Sequence, residues 1–207
     1  MTRKRYSKYP ITDLAGNVIG FSCPEKHIEI RECDKRQADM VIVPHHYSHK
    51  VTKNSCLSML VLFHNKIRGA LQMGYGIRPK IKMGGAICSE TTREFDRMWL
   101  SDEMPKYSET IVLSLFHRYL RMAHTEVKQL ISYADTSAGN KGTIYKAANY
   151  HLIEAIKADF YILPDGERVH PVSMWHRHGT RAWDFLQRQY PGIRKAEGKQ
   201  LKFIYYL

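Results

Sequence analysis

Three side chains capable of proton and metal chemistry stand together in the run VPHHYSHK: His45, His46 and Tyr47. A neutral imidazole can take a proton or ligate a metal, and a phenol offers an acidic proton or a ligand oxygen. The plainer reading of a histidine at a helix end is a surface or capping group. Successive side chains diverge, so a cluster made of these three alone is not expected. Asp135 closes an apolar-leaning run at 127–134. A carboxylate there can accept a proton or ligate a metal, or simply face solvent. His46, Tyr47 and Asp135 together are a donor set compatible with iron, although they lack a diagnostic metal spacing. Arg97 alternates with apolar neighbours on an expected strand. An inward-facing guanidinium is costly unless paired, here with Asp96, Glu109 or a ligand carboxyl or phosphate.

The elements that must position these groups follow from periodicity. Asp34 caps a helix running through Asp39 and Met40 toward His46, and Pro44 stops or kinks it. The His-His-Tyr trio therefore falls at or just past a helix C-terminus, where side chains can turn toward a cleft. A short strand precedes this helix at 28–30. Apolar runs at 57–63 and 67–75 form a hairpin turning at Asn65-Lys66. In the strand at 93–100, Phe95, Arg97 and Trp99 alternate with Asp96, Met98 and Leu100. Pro105 and Ser108-Glu109 open a helix whose apolar positions Ile111, Val112, Leu115, Phe116 and Tyr119 recur at helical spacing. A polar loop at 136–142 follows Asp135, then a short helix at 143–150 and a strand at 152–156. Pro164-Asp165-Gly166 is a turn. A late helix at 179–189 and a terminal strand at 201–207 complete the chain. This order implies an α/β fold, a mixed sheet with helices on its faces. Ligands of such sheets sit beyond the carboxyl ends of strands, where Asp135 lies. Ser108 and Glu109 then read either as cap and dipole partner or as donor-binding groups. Ser137 and Asn140 read as ligand hydrogen bonders or as turn formers.

The chain has 207 residues, 43% of them hydrophobic, enough for one domain with a full core. No apolar run approaches the roughly 20 residues that span a bilayer, so no membrane partner is expected. The basic start, MTRKRYSKYP, lacks the apolar stretch of a secretory signal. Four scattered cysteines read as reduced thiols, pointing to the cytoplasm. The net charge of +12 points to a polyanionic partner, and without a basic amphipathic helix nucleic acid is favoured over membrane. Candidate phosphate contacts are Lys50, Lys53, Arg68, Arg78, Lys80 and Lys82, with Arg177, Arg181 and the arm from Arg3 to Lys8 beside them. Trp175 and Trp183 offer rings for stacking, against core packing as the plainer role.

The segment KGTIYKAANYHLI resembles the stretch of GNAT acyltransferases in which a short helix carries a tyrosine before the next strand. More specifically, HHYSHKVTKNS, RGALQMGYG, DRMWLSDEMPKYSET and SYADTSAGNKGTIYKAANY together are similar to the phage Mom family of DNA-modification proteins. The resemblance implies a GNAT-like domain over 21–207 after a basic arm over 1–20. It implies a transferase that adds a methylcarbamoyl-type, acyl-derived group to the N6 amine of adenine in phage DNA and so shields it from restriction. The setting would be the host bacterial cytoplasm. The expected partner is double-stranded DNA with a flipped adenine. In this reading Asp135 and Tyr145 are the chemical pair, with Tyr145 protonating the leaving group, while His46, Tyr47 and Arg97 shape or polarise the site. Where GNAT enzymes carry a glycine loop for coenzyme A, this chain reads SDEMPKYSET, without glycine. The N–H groups of a helix start can still hold an anion, but Asp102 and Glu103 would repel a phosphate. The donor is therefore acyl-CoA or another activated small-molecule or RNA-linked donor. Two alternatives stay open: an acyl-CoA-dependent N-acyltransferase of a protein or small molecule, and a non-catalytic basic nucleic-acid-binding protein.

Overall fold

The computed structural model describes residues 6–46, 49–76, 90–157 and 159–207. The chain divides into two compact units. The first comprises Met1–Ser132, Ile144–His151 and Ile204–Leu207, and the second Tyr133–Thr143 and Leu152–Phe203.

The first unit is organised by a sheet with strand order β1-β2-β3-β4-β5-β6-β7. These are Tyr9–Thr12, Val18–Cys23, Ile28–Glu32, Ser55–Phe63, Lys66–Gly74, Thr92–Leu100 and Gln129–Asp135, the last of which belongs to the first unit only as far as Ser132. The first two strands involve residues of the expected basic arm. Neighbours run antiparallel up to β6, and β7 then lies parallel to β6, so the sheet is mixed. The β4–β5 hairpin turns on His64-Asn65 rather than on Asn65-Lys66, because Phe63 pairs with Lys66. Both turn residues have positive φ, 49° and 61°, the geometry that matches the twist of a two-residue hairpin.

Two helices cover the sheet's two faces. Helix α1 (Lys35–Ile42) starts on a reciprocal cap between Asp34 and Gln37. It buries Ala38 and Ile42 against Ala70, with Leu60 and Trp99 packed around them. Leu60 pairs with Ala70 and Ala70 with Trp99, so these three form one row across the sheet. Helix α2 (Ser108–Ala123) covers β2 and β3 on the opposite face and reaches Phe95 through Phe116, with ring centroids 5.7 Å apart. Ile28, Ile30, Met59, Val61, Leu71 and Met73 are fully or almost fully buried. Each such side chain contributes about 1.5–3 kcal/mol relative to exposure.

One departure from simple alternation matters for function. Phe95 pairs with Met73, but Arg97 pairs with Gln72, so Asp96 is the extra residue of a β-bulge. The bulge sends Phe95 to the α2 face and Arg97 and Trp99 to the α1 face, although their spacing had implied a shared face. The parallel ladder between β6 and β7 covers only Thr92↔Gln129 to Glu94↔Ile131.

In the second unit, β9 (Tyr161–Ile162) lies between β10 (Arg168–Val169) and β11 (Arg194–Lys195). Two helices, α4 (Pro171–His178) and α5 (Trp183–Gln189), join them around Tyr161, Leu163, Val169, Met174, Leu186 and Ile193. The helix expected at 179–189 corresponds to α5, which begins at Trp183, and α4 ahead of it is an addition to that expectation. His170 caps α4, Pro171 occupies its first turn and Gly179, at φ 67°, ends it. Strands β8 (His151–Lys157) and β12 (Lys199–Tyr206) are neighbours, and the short helix α3 (Thr143–Ala147) precedes β8.

Candidate active site

In the first unit, a polar row continues the α1 face beyond Leu60, Ala70 and Trp99. Ser58 pairs with Gln72 and Gln72 with Arg97. Gln72 is buried, and its Nε2 donates to Asp39 Oδ1 at 2.9 Å and Ser58 Oγ at 3.4 Å. Asp39 also holds Lys35, one turn back on α1, at 2.6 Å. Gln72 Oε1 is buried with no hydrogen-bond donor among the described residues. Turning the amide would aim that oxygen at the Asp39 carboxylate, so the observed orientation is the favourable one.

The end of α1 separates the two neighbouring histidines. The amide N–H groups of His45 and His46 both donate to the Ile42 carbonyl, at 3.1 and 2.8 Å. The exposed His45 ring stacks on Trp99, with centroids 4.1 Å apart. His46 is half-buried, and desolvation, aided by the charges of Arg97 and His49, lowers its pKa to about 4. Its ring is therefore neutral at physiological pH. Arg97 donates through Nη1 to the Lys50 carbonyl. The structure thus brings His46 and Arg97 together. Tyr47 lies outside the described residues.

Beside Arg97, the half-buried Asp96 carboxylate accepts a hydrogen bond from Ser55 Oγ at 3.2 Å. Burial raises its pKa to about 6 despite this bond and the nearby charges of Arg97 and Lys35. Sequence reasoning treated Asp96 only as a partner for Arg97. The adjacent Asp-Arg pair was the available signal, but a bulge is invisible in residue types.

Tyr145 meets Phe95 edge-on, with centroids 6.4 Å apart, and Tyr150 at 5.3 Å. It therefore contacts β6 from the α2 side, the face opposite Arg97. Tyr150 lies beside the buried His117, whose Nε2 is 2.9 Å from the Tyr150 hydroxyl.

Asp135 belongs to the second unit. Its Oδ1 accepts from the Ser137 amide at 2.9 Å and hydroxyl at 2.5 Å, and its Oδ2 accepts from Arg168 Nη2 at 2.6 Å. Burial acts to raise the Asp135 pKa, but the Ser137 and Arg168 hydrogen bonds and charge outweigh it and leave the value lowered. Ser137 Oγ also accepts from Arg168 at 2.6 Å, and the Asn140 amide donates to the Asp135 carbonyl. Arg168 is a partner that the sequence did not suggest.

The remaining expected residues fall as follows. Ser108 is the first residue of α2, preceded by Tyr107, whose side chain makes no cap hydrogen bond, and its hydroxyl donates to the Pro105 carbonyl at 2.5 Å. Glu109 is exposed in the first turn. Arg68 pairs with Glu103 at 2.7 Å, which partly neutralises one of the two acids ahead of α2. Lys50 and Lys53 are exposed. Arg78, Lys80 and Lys82 lie outside the described residues. Trp183 packs against the core of the second unit, whereas Trp175 is exposed. Cys23, Cys33 and Cys56 are free thiols. Among the described residues no helix is long and apolar enough to cross a membrane.

The Mom protein family matches residues 27–207. The chain belongs to that family. It is similar to methylcarbamoylase Mom of Escherichia phage Mu, 32% identical over 168 residues, spanning 79% of this chain and 68% of that protein. Among solved structures it resembles a GNAT-family acetyltransferase of Streptococcus pneumoniae at 8% identity, with a TM-score of 0.51 over 87% of this chain and 99% of that one. It also resembles RimL, a ribosomal L7/L12 alpha-N-protein acetyltransferase, at 11% identity, with a TM-score of 0.50 over 87% and 93%. This Mom-family chain is a transferase with the GNAT fold, as its blocks of sequence implied.

The donor set for iron can be tested against these surroundings. His46 is neutral and so chemically able to ligate, but both Asp135 oxygens already accept strong hydrogen bonds. No group of three or more His, Cys, Asp or Glu gathers among the described residues. Hydrogen-bonded carboxylates can still ligate through their remaining lone pairs, and no step below runs through a metal.

Proposed function

We propose that this chain transfers a methylcarbamoyl-type group from an activated donor to the N6 amine of adenine in phage DNA. The observation that carries the reading is the 32% identity to a methylcarbamoylase over most of the chain. The net charge of +12 supports a DNA acceptor. Lys50 and Lys53 are exposed for phosphate contact, and Arg78, Lys80 and Lys82 add positive charge along the sequence.

The chemistry sets the requirements. The adenine amine is a poor nucleophile because its lone pair is drawn into the ring. The base must also leave the stack to be reached. The site must polarise the electrophile and take a proton from the amine. Arg97, which donates to the Lys50 carbonyl, supplies a fixed positive charge that can polarise the donor. The neutral His46 beside it holds a ligand without adding charge. The leaving group takes its proton from solvent, while the Tyr145 phenol lies against Phe95 on the other face of β6. Asp135, pinned by Ser137 and Arg168, fixes the start of the polar loop that carries Ser137 and Asn140. The N–H groups at the start of α2, near Ser108 and Glu109, are the place for an anionic part of the donor. The Arg68–Glu103 pair reduces the repulsion expected there.

The test is mass analysis of nucleosides from DNA of cells expressing this chain. A new, heavier adenine nucleoside is expected. A normal adenine profile would overturn the proposal.

A further inference from the structure

Asp96 is a carboxylate that the fold goes to some length to accommodate. It occupies the extra position of the β6 bulge, with no partner in the β5 ladder. Bulges re-aim a side chain out of the regular alternation. It follows Glu94, the last β6 residue in the parallel ladder with β7, by two positions. Its Oδ2 accepts from Ser55 Oγ two strands away, and among the described residues that hydroxyl is its only hydrogen-bond donor. The bond crosses β5 at Gly74, the register partner of Ser55. A Cβ on Gly74 would stand 2.6 Å from Asp96 Oδ2 and 2.6 Å from the Asn54 carbonyl oxygen, so only glycine leaves room there. A half-buried carboxylate with one neutral donor and, among the described residues, no salt bridge is a poor way to stabilise a sheet. Such an arrangement marks a site where function keeps an unfavourable group.

We propose that Asp96 is the catalytic base: it accepts the proton released by the attacking adenine amine. This rests on the adenine-transfer reading above. In the step, the N6 nitrogen forms a bond to the electrophilic carbon of an activated acyl-class donor. The N6–H bond breaks, its proton passes to the free Asp96 oxygen, and the donor's leaving group departs with its bonding electron pair and takes a proton from solvent. The groups facing Asp96 are Ser55 and Cys56 of β4, Lys35 of α1 and its neighbour Arg97. Two cations and a hydroxyl keep the base usable. Its raised pKa, near 6, lies close to the operating pH, as efficient proton transfer requires.

The test compares modified adenine in cellular DNA for wild type, Asp96→Asn, Asp96→Glu and Ser55→Ala. The proposal expects Asp96→Asn to lose activity about 100-fold or more while staying folded, and Asp96→Glu to retain part of it. Extracts of the expressing cells, given unmodified plasmid DNA across a pH series, provide the second measurement. Ser55→Ala removes the bond that favours the ionised form, so the acid limb of its activity should move to higher pH. Asp96→Asn activity within about threefold of wild type, in folded protein, would overturn the assignment. Should Asp96→Asn not fold, an unmoved acid limb in Ser55→Ala would overturn it. An inactive wild type would instead remove the transfer reading itself.

Discussion

His117 Nε2 and the Tyr150 hydroxyl lie 2.9 Å apart inside the first unit, and the same imidazole stacks on Tyr205 with centroids 3.7 Å apart. Burial, aided by the charge of Arg121, lowers the His117 pKa to about 3, so the ring is neutral in the folded state. Replacing His117 with Phe keeps a ring but leaves the buried hydroxyl unpaired, at a cost of about 1–3 kcal/mol in chemical denaturation at pH 7. The neutral ring also sets an acid sensitivity. The unfolded chain protonates His117 below about 6.5, whereas the folded chain does so only near 3. The stabilisation is complete above 6.5 and is lost as pH falls through that window. His117→Phe should lose less stability than wild type between pH 6.5 and 3.

Asp96 has the opposite sign. Its carboxyl is raised from 3.8 to about 6, so its contribution is complete below 3.8 and is lost as pH rises through 6. Asp96→Asn should therefore be more stable than wild type at pH 7–8, by roughly 2 kcal/mol once solvent screening is allowed for. The difference should vanish below about pH 4. Thermal melts over a pH series measure it, and equal stability at both ends would contradict the burial described.

Gly74→Ala presses a methyl group between the Asn54 carbonyl and Asp96 Oδ2. Backbone on one side leaves little room to relax. A loss of about 1–3 kcal/mol is expected, with loss of DNA modification that a stabilising substitution elsewhere does not restore.

Asp135 and Arg168 form a buried ion pair, with side chains 6% and 24% exposed. Asp135→Ala leaves the guanidinium without its counter-charge, and a loss of about 3–5 kcal/mol is expected. The Arg168→Ala, Asp135→Ala double variant should lose less than the sum of the single changes. Strict additivity in that cycle would deny the pair.

Lys53 is exposed, whereas Arg68 already faces Glu103. If both approach DNA, Lys53→Ala should reduce the slope of log affinity against log salt by about 1. Arg68→Ala should change it less, because its charge is partly neutralised before binding. Filter binding across a salt series separates the two.

Much of this molecule is written locally. The capped helix at Asp34, the hairpin of apolar runs, the helical spacing from Ile111 to Tyr119 and the strand ending at Asp135 each reflect neighbours along the chain, and each appears within a few residues of its expected place. The ordered blocks from HHYSHKVTKNS to SYADTSAGNKGTIYKAANY carried the family, because membership is a property of sequence. Helix α4 was also locally encoded, by Pro171 at its start and Gly179 at its end, but periodicity alone passed over it. Other features depend on residues far apart in sequence. That His45 stacks on Trp99 while His46 turns toward Arg97, that Asp96 bulges to meet Ser55, and that Asp135 is bound by Arg168 were decided by strand register and packing. A one-residue slip reverses every side chain on a strand. Residue types therefore state what chemistry is available, and only the paired strands decide which groups meet to perform it.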